Sequence, residues 1–152
     1  MKNKGFTLFI AMIVMGTLLL IAAGIVNLAV RQSLISSSGR ESQEAFYAAD
    51  SGIECVLYWD IQNPNGVSAF STSTGSTIFC NRDANNPSNR WPVGGSYTST
   101  FTMRFFPDPY CAVVTVIKGI DGSTRVESLG YNAGCGILAA SRRVERAIRA
   151  IY

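Results

Sequence analysis

The feature that most constrains this chain is a run of 25 residues, Phe6 to Val30, that contains no Asp, Glu, Lys or Arg. At about 1.5 Å per residue, such a run is long enough to cross a bilayer as a helix. The whole sequence has 152 residues, so roughly 120 remain for one small core, which disfavours a multidomain enzyme. Met1-Lys2-Asn3-Lys4-Gly5 forms a short basic start, and the positive-inside rule then places the N-terminus in the cytoplasm and everything after Arg31 outside. A secretory signal peptide would have an apolar region of about 7–15 residues ending at an A-x-A-like site. Here the run is longer, and a helical pattern continues beyond it.

From Gln32 to Asp60 there is no proline, and Phe46, Ala49, Ile53, Val56 and Leu57 recur at a 3.6-residue period. Opposite them lie Arg40, Glu41, Glu44 and Glu54, with Arg40 and Glu44 spaced for an i,i+4 pair. The pattern predicts a single helix of about 55 residues, roughly 80 Å long. Its expected weak point is Ser36-Ser37-Ser38-Gly39, where poor helix formers cluster.

Histidine is absent, which removes the usual general base near neutral pH and the commonest metal ligand. No glycine-rich phosphate loop is present, since Gly94-Gly95 lacks a following Lys-Ser or Lys-Thr. Asp108 and Asp121 sit in separate turns, and no nucleophile stands beside a base. The expectation is a protein without enzymatic activity, cofactor or metal. Thirteen basic and ten acidic residues give a net charge of +3, too little for a strong polyanion-binding field once Lys2 and Lys4 are set aside.

Past the helix, Gln62–Ser99 reads as loop, dense in turn residues and sparse in apolar ones, with Thr77-Ile78-Phe79-Cys80 as a candidate short strand. Trp91 is either a hydrophobic lid for this loop or an exposed binding aromatic. Beyond Thr98 the period becomes two. Thr98–Phe106, Ala112–Lys118, Thr124–Tyr131 and Arg143–Ile151 read as an antiparallel meander, although Val144, Ala147, Ile148 and Ile151 also fit helix spacing. The sheet gives the helix face of Phe46, Ile53 and Leu57 a surface to bury against.

Cys55, Cys80, Cys111 and Cys135 all follow the apolar run, and an even set outside the membrane favours two disulfides. A hairpin turning near Gly119–Gly122 pairs residues whose numbers sum to roughly 241, so Cys111 lies opposite Gly130 and near Cys135. Cys111–Cys135 is the favoured bridge, leaving Cys55–Cys80. Arg142, Arg143, Arg146 and Arg149 form the sharpest charged cluster of the head, readable as a DNA phosphate contact or as surface solvation with Glu127 and Glu145.

Gly5-Phe6-Thr7-Leu8, behind a Lys-containing leader and ahead of a long apolar helix, resembles the class III signal of type IV pilins and pseudopilins. The resemblance implies cleavage by a prepilin peptidase between Gly5 and Phe6 and N-methylation of Phe6. The stretch Gly39 to Glu54, with its Ala48-Ala49-Asp50-Ser51-Gly52-Ile53-Glu54, is similar to the A-x-x-A-x-S-G-x-E segment of minor pilins with a PilX N-terminal domain. Gly130-Tyr131-Asn132 and Arg142-Arg143-Val144-Glu145-Arg146 look like the ends of this group; the middle third carries no motif that can be placed.

What the resemblance implies is an α+β, type IV pilin-like fold: a long, partly transmembrane N-terminal helix packed on a small antiparallel sheet. Its divisions are leader 1–5, transmembrane or filament-core helix 6–30, amphipathic continuation 31–61, variable loop 62–99 and sheet head 100–152. The fifth residue of the mature chain, a glutamate in most pilins, is Ile10 here. A subunit without that carboxylate cannot neutralise a neighbour's N-terminal ammonium, which fits a filament tip or an anchor that never polymerises. The expected role is a low-copy minor pilin of the type IV pilus that primes assembly or caps the tip, with an adhesive contact through the loop. The expected location is the cytoplasmic membrane, head outside, and then the extracellular pilus. Expected partners are other pilins, the prepilin peptidase, the assembly platform and the membrane. A type II secretion pseudopilin, an anchored binding protein and a DNA-uptake tip are the alternatives.

Overall fold

The computed structural model describes residues 4–63, 66–81, 89–107, 109–136 and 143–152, with side chains from Phe6 on. A single helix, α1, runs from Lys4 to Asp60. Residues 36–39 are helical within it, and the chain divides into two compact units directly after them, Met1–Gly39 and Arg40–Tyr152. The last helical hydrogen bonds run from Ile61 N to Leu57 O and Gln62 N to Tyr58 O, at 3.0 and 3.1 Å. Asn63 then precedes Pro64, a position where the α conformation is disfavoured.

In the second unit, the C-terminal third of α1 packs on a four-stranded antiparallel sheet ordered β3-β4-β5-β6, with β3 Thr98–Arg104, β4 Cys111–Lys118, β5 Thr124–Tyr131 and β6 Glu145–Ile151. The fold is thus α+β. Of the expected strand Arg143–Ile151, residues 145–151 adopt strand geometry because β6 completes a ladder with β5, pairing Arg125 with Ile151 through to Tyr131 with Glu145. In the β4–β5 hairpin Cys111 faces Tyr131, one residue from the sequence-derived register.

Two expectations are corrected. The segment expected to be loop carries a second, two-stranded sheet, β1 Gly75–Phe79 with β2 Arg90–Gly94, pairing Ile78 with Trp91 and Thr77 with Pro92. Turn residues dominate its composition, yet Phe70, Ile78 and Val93 are buried, so a few well-placed apolar residues suffice to dock it. Trp59 Nε1 donates to Phe79 O at 3.1 Å, and Ala69 N donates to Trp59 O at 3.1 Å, which fastens the segment to α1 ahead of β1 and at the end of β1.

The buried helix face is also rotated from its expected centre. Ala45, Ala48, Ala49, Gly52, Ile53, Val56 and Trp59 are buried, whereas Phe46 is 47% exposed. Small residues win the centre because the helix approaches β5 too closely for large ones. A Cβ built on Gly130 would lie 2.0 Å from Ala45 O and 2.4 Å from Ala49 N. One on Gly52 would lie 2.3 Å from Ser128 Oγ and 2.7 Å from Val114 Cγ2. Residues 124, 126, 128 and 130 alternate inward along β5, so Ser128 and Gly130 form the floor on which Ala45, Ala49 and Gly52 rest.

Candidate functional site

The first unit is dominated by helix surface of one kind. Large side chains from Phe6 through Val30 are exposed, including Phe6 and Ile10, and this is the one described helix long and apolar enough to cross a membrane. A helix apolar all round is stable in lipid or among other helices, not in water. Its backbone is satisfied within the helix, and the hydroxyl of Thr17 donates to Val14 O at 2.9 Å, so that polar group is also satisfied without water. Gly5 and Phe6 both fall in the first turns of α1. The first acidic residue of the sequence is Glu41, so the turn around Ile10 carries no carboxylate.

In the head, three of the four arginines of the C-terminal cluster have separate partners. Arg143 lies over the Tyr131 ring at 3.9 Å from its centroid. Arg146 Nε donates to Ser42 Oγ at 2.9 Å, tying β6 to α1. Arg149 pairs at 2.9 Å with Glu127, its cross-strand neighbour, and that hydrogen bond holds the Glu127 carboxyl below its ordinary pKa against a small desolvation. Arg142 and Asp108 lie outside the described residues. Trp91 is half-buried on β2 with its ring 4.9 Å from that of Phe101, so its surface is engaged in packing. Around Tyr131, burial first, then hydrogen bonding to Glu145, pushes the phenol up.

The cysteines form Cys55–Cys80, which joins α1 to the end of β1, and Cys111–Cys135, which joins β4 to the loop after β5. Their Cα–Cα distances are 6.0 and 5.7 Å. No group of three or more metal-ligating side chains occurs among the described residues.

Sequence reasoning missed a polar hub at the end of α1. Asp60, nearly buried, accepts hydrogen bonds from Lys118 Nζ at 2.6 and 2.8 Å, from Tyr152 OH at 2.7 Å and from Ser68 Oγ. Lys118 also donates to Thr124 Oγ1 at 2.8 Å. Burial alone would raise the Asp60 carboxyl; the hydrogen bonds from Lys118, Ser68 and Tyr152, with the charge of the Lys118 ammonium, outweigh it and hold it below its ordinary value. Burial first, then the carboxylate, pushes the Tyr152 phenol up. The hub joins α1, the loop at Ser68, β4, β5 and the residue after β6. Its partners are 58 and 92 positions apart in sequence, a separation over which no local pattern gives a signal. Gly52 and Gly130 did leave one, since a glycine inside a helix or strand costs about 1 kcal/mol unless close approach requires it.

Residues 4–54 match the family model described as PilX N-terminal. No curated protein matches the chain. No solved structure matches it either. Over residues 4–54 the chain is therefore similar to the PilX N-terminal family, and this segment lies on a long apolar helix, an arrangement consistent with a type IV pilin-like minor pilin.

Proposed function

We propose that this chain, with the PilX N-terminal segment at residues 4–54 as the observation that carries the reading, is a low-copy minor subunit of a type IV pilus that primes assembly or caps the tip. The subunit enters the cytoplasmic membrane with its head outside, is cut by a prepilin peptidase between Gly5 and Phe6, and is methylated on Phe6. Its role is mechanical rather than catalytic. The Phe6–Val30 helix moves from lipid into a bundle of similar helices, a transfer between two apolar surroundings that costs little. Head contacts with other pilins and with the assembly platform can then decide the direction of assembly.

Ile10 supports the terminal position. A carboxylate there would have to be paired in an apolar core, and a subunit at the tip has no partner ammonium to neutralise. The two disulfides suit a small head in an oxidising compartment. The segment 62–99 supplies the surface for adhesion. Deleting the gene tests the priming role. Filament number should fall severalfold while the filaments that remain keep normal length and major-subunit composition. Unchanged filament number and unchanged surface attachment would overturn the reading.

A further inference from the structure

Between the last turns of α1 and the ends of β1 and β3 lies an open groove of about 650 Å³. Ser51, Glu54 and Tyr58 line one wall, spaced three or four residues apart and so stacked along one face of α1, with Gln62 just beyond its end. Phe79 and Phe105 stand on the other wall. Tyr58 is half-exposed there, its ring edge-on to Trp59 at 5.6 Å. Among the described residues that line the groove, Glu54 is the one charged side chain, and the carboxylate is exposed.

Glu54 has neither a hydrogen bond nor an ion pair among the described residues. Glu44, Asp60 and Glu127 are each held by a cation, Arg40, Lys118 and Arg149 respectively. A lone carboxylate set among aromatic rings in a groove without a described base creates a negative, partly apolar surface. Its complement is a cation with a flat apolar face. Guanidinium fits better than ammonium because it stacks on a ring and presents parallel N–H groups to a carboxylate at once. The groove is open along the helix rather than enclosed, so it suits a side chain presented from outside rather than a ligand engulfed on all sides.

We propose that this groove docks an arginine side chain of a protein partner, with Glu54 as its counter-ion and Tyr58 as its stacking wall. That the partner is a neighbouring pilus subunit rests on the function proposed above; the chemistry of the groove does not.

The test uses the full chain in neutral detergent micelles and follows the indole N–H resonance of Trp59, which is bonded to Phe79 O at the groove wall. The probes are acetyl-Gly-Arg-Gly-amide and its citrulline counterpart, which keeps the shape and removes the charge. The arginine peptide should give a saturable shift in the millimolar range, and the citrulline peptide should bind at least about fivefold more weakly. Glu54→Gln and Tyr58→Leu should each weaken the arginine peptide by about fivefold at unchanged unfolding temperature. Equal shifts from the two peptides, or no saturation by the arginine peptide, would overturn the proposal without recourse to any variant. Since no filament is present, such a failure removes the groove and leaves the pilus reading standing, which only filament assays can remove.

Discussion

Gly130→Ala is the sharpest test of how the head is built. The new Cβ would sit 2.0 Å from Ala45 O, 2.4 Å from Ala49 N and 2.9 Å from Ala49 Cβ. The first two are backbone atoms of a continuous helix and cannot rotate aside, so α1 must retreat by about 1 Å or more, opening the contact along Ala45, Ala49 and Gly52. Overpacking of this kind costs about 3 kcal/mol. In a head of this size each kcal/mol lowers the melting temperature by about 4–8 °C, so a drop of 10 °C or more is expected. The assay is thermal unfolding of the full chain in detergent, disulfides intact, followed by tryptophan fluorescence. Ala45→Gly should not rescue the variant, because it removes a side chain and leaves the clashing carbonyl in place. At Gly52 the obstacle is side chain, so Ser128→Gly should partly rescue Gly52→Ala. A loss below about 0.5 kcal/mol for Gly130→Ala, within the range of ordinary surface changes, would refute the close-approach argument.

Removing the carboxylate with Asp60→Ala leaves Lys118 unpaired in a largely buried position and should cost about 3 kcal/mol by urea unfolding. Because the folded Asp60 pKa is lowered, its stabilisation is complete above the unfolded-chain value of 3.8 and is lost as pH falls through the lower folded value. A melting series across that window should therefore lose part of its acid slope in Asp60→Asn. Cys111→Ser with Cys135→Ser opens a loop whose ends are 24 positions apart and should cost about 3 kcal/mol, read as a lower midpoint in urea. Ile10→Glu restores a carboxylate to the filament-core position and should raise the copy number of this chain in sheared filaments, measured against the major pilin; an unchanged number would count against the argument from Ile10.

The apolar run, the helix to Asp60 and the four-strand meander could be read from sequence because their signals are local: a long charge-free stretch, a proline-free 3.6-residue period and period-two strands between turns. The cysteine pairing followed from hairpin register even though that register was off by one. What escaped depends on partners remote in sequence. Of the expected face, Ala49, Ile53 and Val56 are buried, but Phe46 is not; the space available above Gly130 brings Ala45 and Ala48 in instead. β1 was legible in part as the candidate strand Thr77–Cys80, whereas its partner β2 hid in a turn-rich segment where Phe70, Ile78 and Val93 are too few to show a period. The Arg142–Arg149 cluster is readable in sequence as a phosphate contact or as surface solvation; the fold sends Arg143 to Tyr131 and Arg146 to Ser42, remote partners without a local signal, and Arg149 to Glu127, a partner the solvation reading names. Asp60 gave no signal at all, since an acidic residue at a helix end reads as solvated until Lys118 and Tyr152 are brought to it by the fold.

The central claim is that Phe6–Val30 is a filament-forming helix released from a five-residue leader, and mass spectrometry of sheared extracellular filaments tests it most directly. The account predicts a peptide that begins at Phe6, carries one added methyl group and is present at a few copies per filament. Absence of the chain from filaments, with protein still beginning at Met1 recovered from membranes, would contradict it.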